Sequence, residues 1–120
     1  MKKETSLFGM KFALKGIGSF FIKERNAKIH LLASILVVSA GFYYCLNASE
    51  WLWIALAIAL VFITEMINSA IELLCDLVMP EQNEMAGRLK DLSAGAVLIS
   101  AIFSLAVAGI IFLPKVTSWF

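Results

Sequence analysis

Glu65, Asn68, Ser69, Glu72 and Asp76 fall at offsets of 0, 3, 4, 7 and 11 along a stretch that contains no proline. On a helix turning about 100° per residue they share an arc of roughly 100°, a polar stripe on an otherwise apolar rod. Carboxylates and an amide on one face offer oxygen ligands for a hard divalent cation such as Mg²⁺, and a base. The blander use of the same stripe is a zipper of hydrogen bonds to neighbouring helices, with Lys or Arg from the amino-terminal segment as partners. An ionisable group inside a bilayer costs about 2.5 to 3.5 kcal/mol on insertion scales, so it is retained for a function or satisfied by a partner.

A bilayer is the natural solvent for this chain. Its 120 residues are 61% hydrophobic and 16% charged, too apolar for a water-soluble domain of that size. Apolar runs predict three transmembrane helices over about 29–46, 51–79 and 92–113, in one domain spanning 1–120. Ahead of them, a helix over about 7–24 places Met10, Ala13, Leu14, Ile17, Phe20 and Phe21 on one face, opposite Lys11, Lys15, Ser19 and Lys23. That is the pattern of an amphipathic helix lying on the membrane surface. Glu24, Arg25 and Asn26 then read as a polar hinge. The expected fold class is an all-α membrane protein.

Charge orients the spans. Seven of the ten basic residues (Lys2, Lys3, Lys11, Lys15, Lys23, Arg25 and Lys28) precede the first span, and the turn 47–50 has none. The amino terminus is therefore expected in the cytoplasm, without a cleavable signal peptide. Three crossings return 80–91, with Arg88 and Lys90, to the same side and leave Lys115 outside. Ser49 is the expected cap of the second span, and Pro80 halts it. Ala96, Ser100, Ser104 and Ala108 make a row of small residues, suited to close helix packing. Cys45 and Cys75 fall at opposite ends of the spans, which disfavours a disulfide.

Complementary groups lie just beyond the stripe, at Glu81, Asn83, Glu84, Arg88, Lys90 and Asp91, with Gly87 permitting a tight turn. Lys90 reads either as a phosphate contact or as a positive-inside anchor. Glu24 reads as a third carboxylate at the depth of the stripe or as a solvated hinge charge. His30 is the one histidine and is expected to touch a headgroup or the backbone; without a second, zinc is disfavoured. No GxxxxGK[ST] loop is present, and Gly16-Ile17-Gly18 lacks the third glycine of a dinucleotide site. No nucleic-acid motif stands out.

The run Glu65-Met-Ile-Asn68-Ser-Ala-Ile-Glu72 followed by Asp76, and Ala86-Gly87-Arg88-Leu89-Lys90-Asp91 leading into Ser93-Ala94-Gly95-Ala96-Val97, resemble the small prokaryotic diacylglycerol kinase family, which includes undecaprenol kinases. The resemblance extends from about Phe12 to Pro114 and takes in Glu24-Arg25-Asn26-Ala27-Lys28-Ile29-His30. It implies a homotrimer in the bacterial inner (cytoplasmic) membrane, passing the γ-phosphoryl of MgATP to the hydroxyl of diacylglycerol, with active sites at subunit contacts. Glu65 matches the family's catalytic base, and Glu24 and Glu72 its Mg²⁺ ligands, which also lie against the nucleotide. Asn68 and Asp76 match polar residues that shape the site. Lys90 and Asp91, with Glu81, Gln82 and Asn83, match nucleotide contacts; a histidine common in the family at the position of Asn83 is absent.

Three other readings stay open. Undecaprenol is an alternative acceptor, because only the hydroxyl of the lipid must be held in a defined place. A small proton-coupled transporter or channel subunit would use Glu65 as its titrating group. A non-catalytic scaffold would use the stripe only to join partner helices.

Overall fold

The computed structural model describes residues 2–118 except Gln82, with side chains described from Phe8 onward. Four helices follow in order: α1 (Lys2–Lys23), α2 (Arg25–Tyr43), α3 (Ala48–Val78) and α4 (Glu84–Thr117). No strand occurs among the described residues. The last three are long and apolar enough to cross a membrane. At about 1.5 Å per residue α2 spans about 28 Å, whereas α3 and α4 reach about 46 and 51 Å and overrun a hydrocarbon slab of about 30 Å.

Only one residue breaks the path from α1 to α2. Glu24 is extended, at φ −95° and ψ 124°, while its own N–H still closes on the carbonyl of Phe20 at 3.0 Å. The bend brings Phe20 into the protein and sets Phe21 edge-on to Phe62 of α3, with ring centroids 5.2 Å apart. Met10, Leu14 and Ile17, from the expected apolar face of α1, remain exposed alongside Phe8 and Phe12. Among the described residues of α1, those that are buried or half-buried, 18–21, all lie near its carboxyl end.

A tight turn joins α2 to α3. Leu46 N–H donates to the carbonyl of Gly41 at 3.1 Å and Cys45 N–H to that of Phe42 at 3.3 Å, the paired bonds of a Schellman motif. Cys45 occupies its left-handed position at φ 53°, where glycine is usual. α3 then starts two residues earlier than Ser49 would allow. Asn47 is the cap: its Oδ1 accepts from Glu50 N–H at 2.9 Å, and Glu50 Oε1 accepts from Asn47 N–H at 3.1 Å. Ser49 has no acidic partner three residues on, whereas Asn47 has Glu50 and closes both bonds.

α3 and α4 form an antiparallel hairpin. Glu50 pairs with Lys115 at 3.1 Å at one end, Ser104 Oγ donates to the Ala57 carbonyl at 3.2 Å midway, and Lys90 Nζ meets Asp76 at 2.9 Å at the other. On α4 the buried residues Ala86, Ser93, Ser100 and Val107 recur every seven positions, the period of helices packed at a small left-handed crossing angle. The row of small residues at spacing four follows this seam only in part: Ser100 is buried, but Ala96 is exposed. Each step of four advances about 40° around the helix, so such a row winds off a straight contact. Leu46, Ile54, Ala57, Val107 and Ile111 form the core at the Glu50 end, with Trp51 and Phe103 packed against it. Gly87 is helical within the first turns of α4, and no glycine among the described residues has a positive φ. The tight turn expected there is absent, because Asn83 starts the helix four residues earlier.

Candidate active site

Glu65, Asn68 and Asp76 of the stripe on α3 each meet a side chain from another helix. Glu65, 4% exposed, is the deepest. Its Oε1 lies 3.1 Å from His30 Nε2 on α2. One turn on, Asn68 Oδ1 accepts from Ser93 Oγ of α4 at 2.7 Å, and Asn68 Nδ2 donates to Glu72 Oε1 at 3.5 Å. Glu72 and Asp76 are exposed, and Asp76 receives Lys90 Nζ. The ladder thus runs from a buried carboxylate to an exposed ion pair over eleven residues, about 17 Å. Part of the zipper reading is therefore real, but among the described residues its partners are His30, Ser93 and Lys90.

At the exposed end the α3–α4 connection frames an open cleft. Asp76, Pro80, Glu81, Asn83, Gly87 and Lys90 line it. Asn83 caps α4, its Oδ1 accepting from Ala86 N–H at 2.8 Å, so its side-chain carbonyl is already engaged. The cleft lies beside the amino terminus of α4, whose unpaired N–H groups and dipole favour an anion. Lys90 adds a solvent-accessible cation held by Asp76. Exposed pairs of this kind add little to stability, so the pair is better understood as placing the ammonium.

The structure assembles the sequence candidates unevenly. Asp76, Lys90, Glu81 and Asn83 meet at one cleft, while Gln82 lies outside the described residues. Asp91, one residue past Lys90, is turned about 100° around α4 and lines a shallow surface with Arg88 and Leu92 instead. Glu24 sits half-buried at the α1–α2 bend and makes no capping bond. Neither Glu24 nor the second oxygen of Glu72 is taken by an ion pair among the described residues, and both are hard oxygen donors suited to Mg²⁺. No cluster of three or more metal-binding side chains occurs among those residues. Mg²⁺ needs none, because it is held by one or two carboxylates plus waters and phosphates.

Two members of the ladder carried no sequence signal strong enough to place them. His30 pairs with Glu65 rather than meeting a headgroup alone. The signal that could have found it is depth: a buried intramembrane carboxylate needs a donor, and His30 is the last of the Asp, Glu, His, Lys and Arg residues along α2. Ser93 is 7% exposed and enters the sequence reading only as part of the family motif.

With this geometry, the comparisons with known proteins are consistent. The family model described as prokaryotic diacylglycerol kinase matches residues 11–112. An undecaprenol kinase of Bacillus subtilis (strain 168) is 37% identical over 116 residues, covering 95% of this chain and 94% of the relative. A diacylglycerol kinase of Synechocystis sp. is 34% identical over 113 residues, 93% of this chain and 65% of the relative. That of Escherichia coli (strain K12) is 32% identical over 91 residues, 76% of this chain and 75% of the relative. The matched region holds the whole ladder from His30 to Ser93 and the cleft beside it, and so the chain belongs to the prokaryotic diacylglycerol kinase family and is a lipid kinase, a phosphotransferase with an alcohol acceptor.

Proposed function

We propose that this chain transfers the γ-phosphoryl of MgATP to the hydroxyl of diacylglycerol, giving phosphatidic acid. The observation that carries the reading is the continuity of the ladder, from a buried carboxylate at Glu65 to a cation-bearing cleft at Lys90. A triphosphate is soluble and its acceptor is not, so a site for both must bridge water and hydrocarbon. Phosphoryl transfer asks chiefly for positioning and charge neutralisation. Lys90 and the amino terminus of α4 would hold phosphate oxygens, with Glu81, Gln82, Asn83 and Asp91 as the remaining nucleotide contacts. Glu24 and Glu72 would hold Mg²⁺, which neutralises charge on the phosphates when bound. Glu65 would accept the proton of the lipid hydroxyl, with Asn68 keeping the adjoining turn in register.

Glu72 and Asp76 are exposed on a single chain. Covering such a stripe supports a homotrimer in which a neighbouring subunit closes each site. The density of Lys and Arg before α2 supports an amino terminus on the cytoplasmic side of a bacterial inner membrane, which brings the cleft to cytoplasmic ATP.

A second reading takes undecaprenol as the acceptor, and one observation favours it. The relative matched over 94% of its own length is an undecaprenol kinase. Purified protein in mixed micelles, given MgATP and each lipid in parallel, separates the two by kcat/KM. Turnover that needs neither lipid, or none with either, overturns both. Glu65→Gln is expected to abolish transfer while the protein stays folded and assembled; substantial residual activity removes Glu65 from the role of base.

A further inference from the structure

We infer that His30 is the positioning residue of Glu65: its Nε2–H anchors one carboxylate oxygen and leaves the other to take the proton of the lipid hydroxyl. The inference rests on Glu65 acting as the base and adds to that reading a second residue, from a different helix. Glu65 is 4% exposed, and His30 is its one hydrogen-bond partner among the described residues. An ionised carboxylate can only accept, so the bond over 3.1 Å requires the proton on Nε2.

The surroundings of His30 fit an orienting role. Ala27, one turn earlier on the same side of α2, is 0% exposed, so α2 packs closely where the imidazole reaches across. Ring and carboxylate are unequally covered, with side chains 30% and 5% exposed. The imidazole therefore closes one flank of Glu65 and remains open to its surroundings on the other. A base held in place by a third group is the general logic of activated sites. Here the gain would lie in kcat, because the lipid and the nucleotide bind through other residues.

The test compares His30→Leu, His30→Gln and Glu65→Gln with the parent protein in mixed micelles, reading kcat and both KM values, with assembly and thermal unfolding alongside. His30→Leu is expected to lower kcat roughly 10- to 100-fold, the scale of a misplaced catalytic group, with both KM values nearly unchanged. His30→Gln, whose side-chain amide keeps an N–H at a similar reach, is expected to recover most of that loss. Unchanged kcat in His30→Leu beside an inactive Glu65→Gln overturns the inference and leaves the base intact. Equal losses in the Leu and Gln variants, or losses that track dissociation or a lower unfolding temperature, also overturn it. An active Glu65→Gln overturns the reading of Glu65 itself.

Discussion

Ser93 Oγ stands 2.7 Å from Asn68 Oδ1 and 3.0 Å from the carbonyl oxygen of Lys90, so one hydroxyl ties the stripe on α3 to the turn of α4 that carries the cleft's cation. Asn68 in turn reaches Glu72, a candidate Mg²⁺ ligand. Ser93→Ala should therefore release the Asn68 amide and loosen Glu72 without emptying much volume. The expected result is a loss of about 0.6 to 1 kcal/mol in stability, the usual worth of such a bond, and a several-fold higher Mg²⁺ requirement. Denaturant titration and an Mg²⁺ dependence of the initial rate measure the two; a variant unchanged in both would mean that Ser93 merely packs.

Lys90 offers a cleaner separation of roles. Its pair with Asp76 is exposed, so Lys90→Ala should leave the unfolding transition in place. If the ammonium holds phosphate, KM for ATP should rise roughly tenfold and grow more salt-sensitive in the parent than in the variant. Lys90→Arg, which keeps the charge, should fall between the two. An unaltered KM would return Lys90 to the role of an interfacial anchor.

Covalent labelling examines the two cysteines and the orientation together. Cys45 is exposed at the α2–α3 turn, and Cys75 is buried near the end of α3. With an amino terminus in the cytoplasm, a membrane-impermeant maleimide added to intact cells with a permeable outer envelope should modify Cys45, and Cys75 should react only after denaturation. Modification of Cys45 solely in inverted vesicles would reverse the proposed topology.

Helices and their order were legible in the sequence because each rests on a strong local signal: long apolar runs for the spans, Pro80 after α3, and a polar interruption at Glu24. The stripe was legible for the same reason, since helical period alone puts Glu65, Asn68 and Glu72 on one side. What faces that side depends on helix pairing, which periodicity does not encode. His30 and Ser93 therefore emerged only with the fold. The tight turn at Gly87 was misjudged in a related way. Gly87 lies in what reads as a polar connection, yet α4 begins at Glu84, because Asn83 can cap it and nothing after Asn83 interrupts the helix. The heptad seam on α4 likewise competed with a row of small residues at spacing four, and the straighter of the two became the contact.

The α2–α3 turn concentrates two opposed backbone demands in five residues. A Cβ added at Gly41 would lie 2.6 Å from Cη2 of Trp51, whose ring is itself held against Phe42 at a centroid distance of 4.9 Å. Gly41→Ala must displace that indole from the core around Ile54 and should cost about 1 to 3 kcal/mol, as overpacking does. Cys45 presents the reverse case. It holds φ 53° where glycine is free of the Cβ penalty, so Cys45→Gly should stabilise the fold by up to about 1 kcal/mol, less whatever the added freedom of the unfolded chain takes back. The start of α3 beside the turn lies about 26 Å along the helix from Glu65, so kcat should move in neither variant under conditions where both are folded. Denaturant titration in micelles should therefore shift in opposite directions for the two substitutions. A shift of the same sign would show that the left-handed residue is not strained, and that the Schellman turn is held by the burial of Leu46 alone.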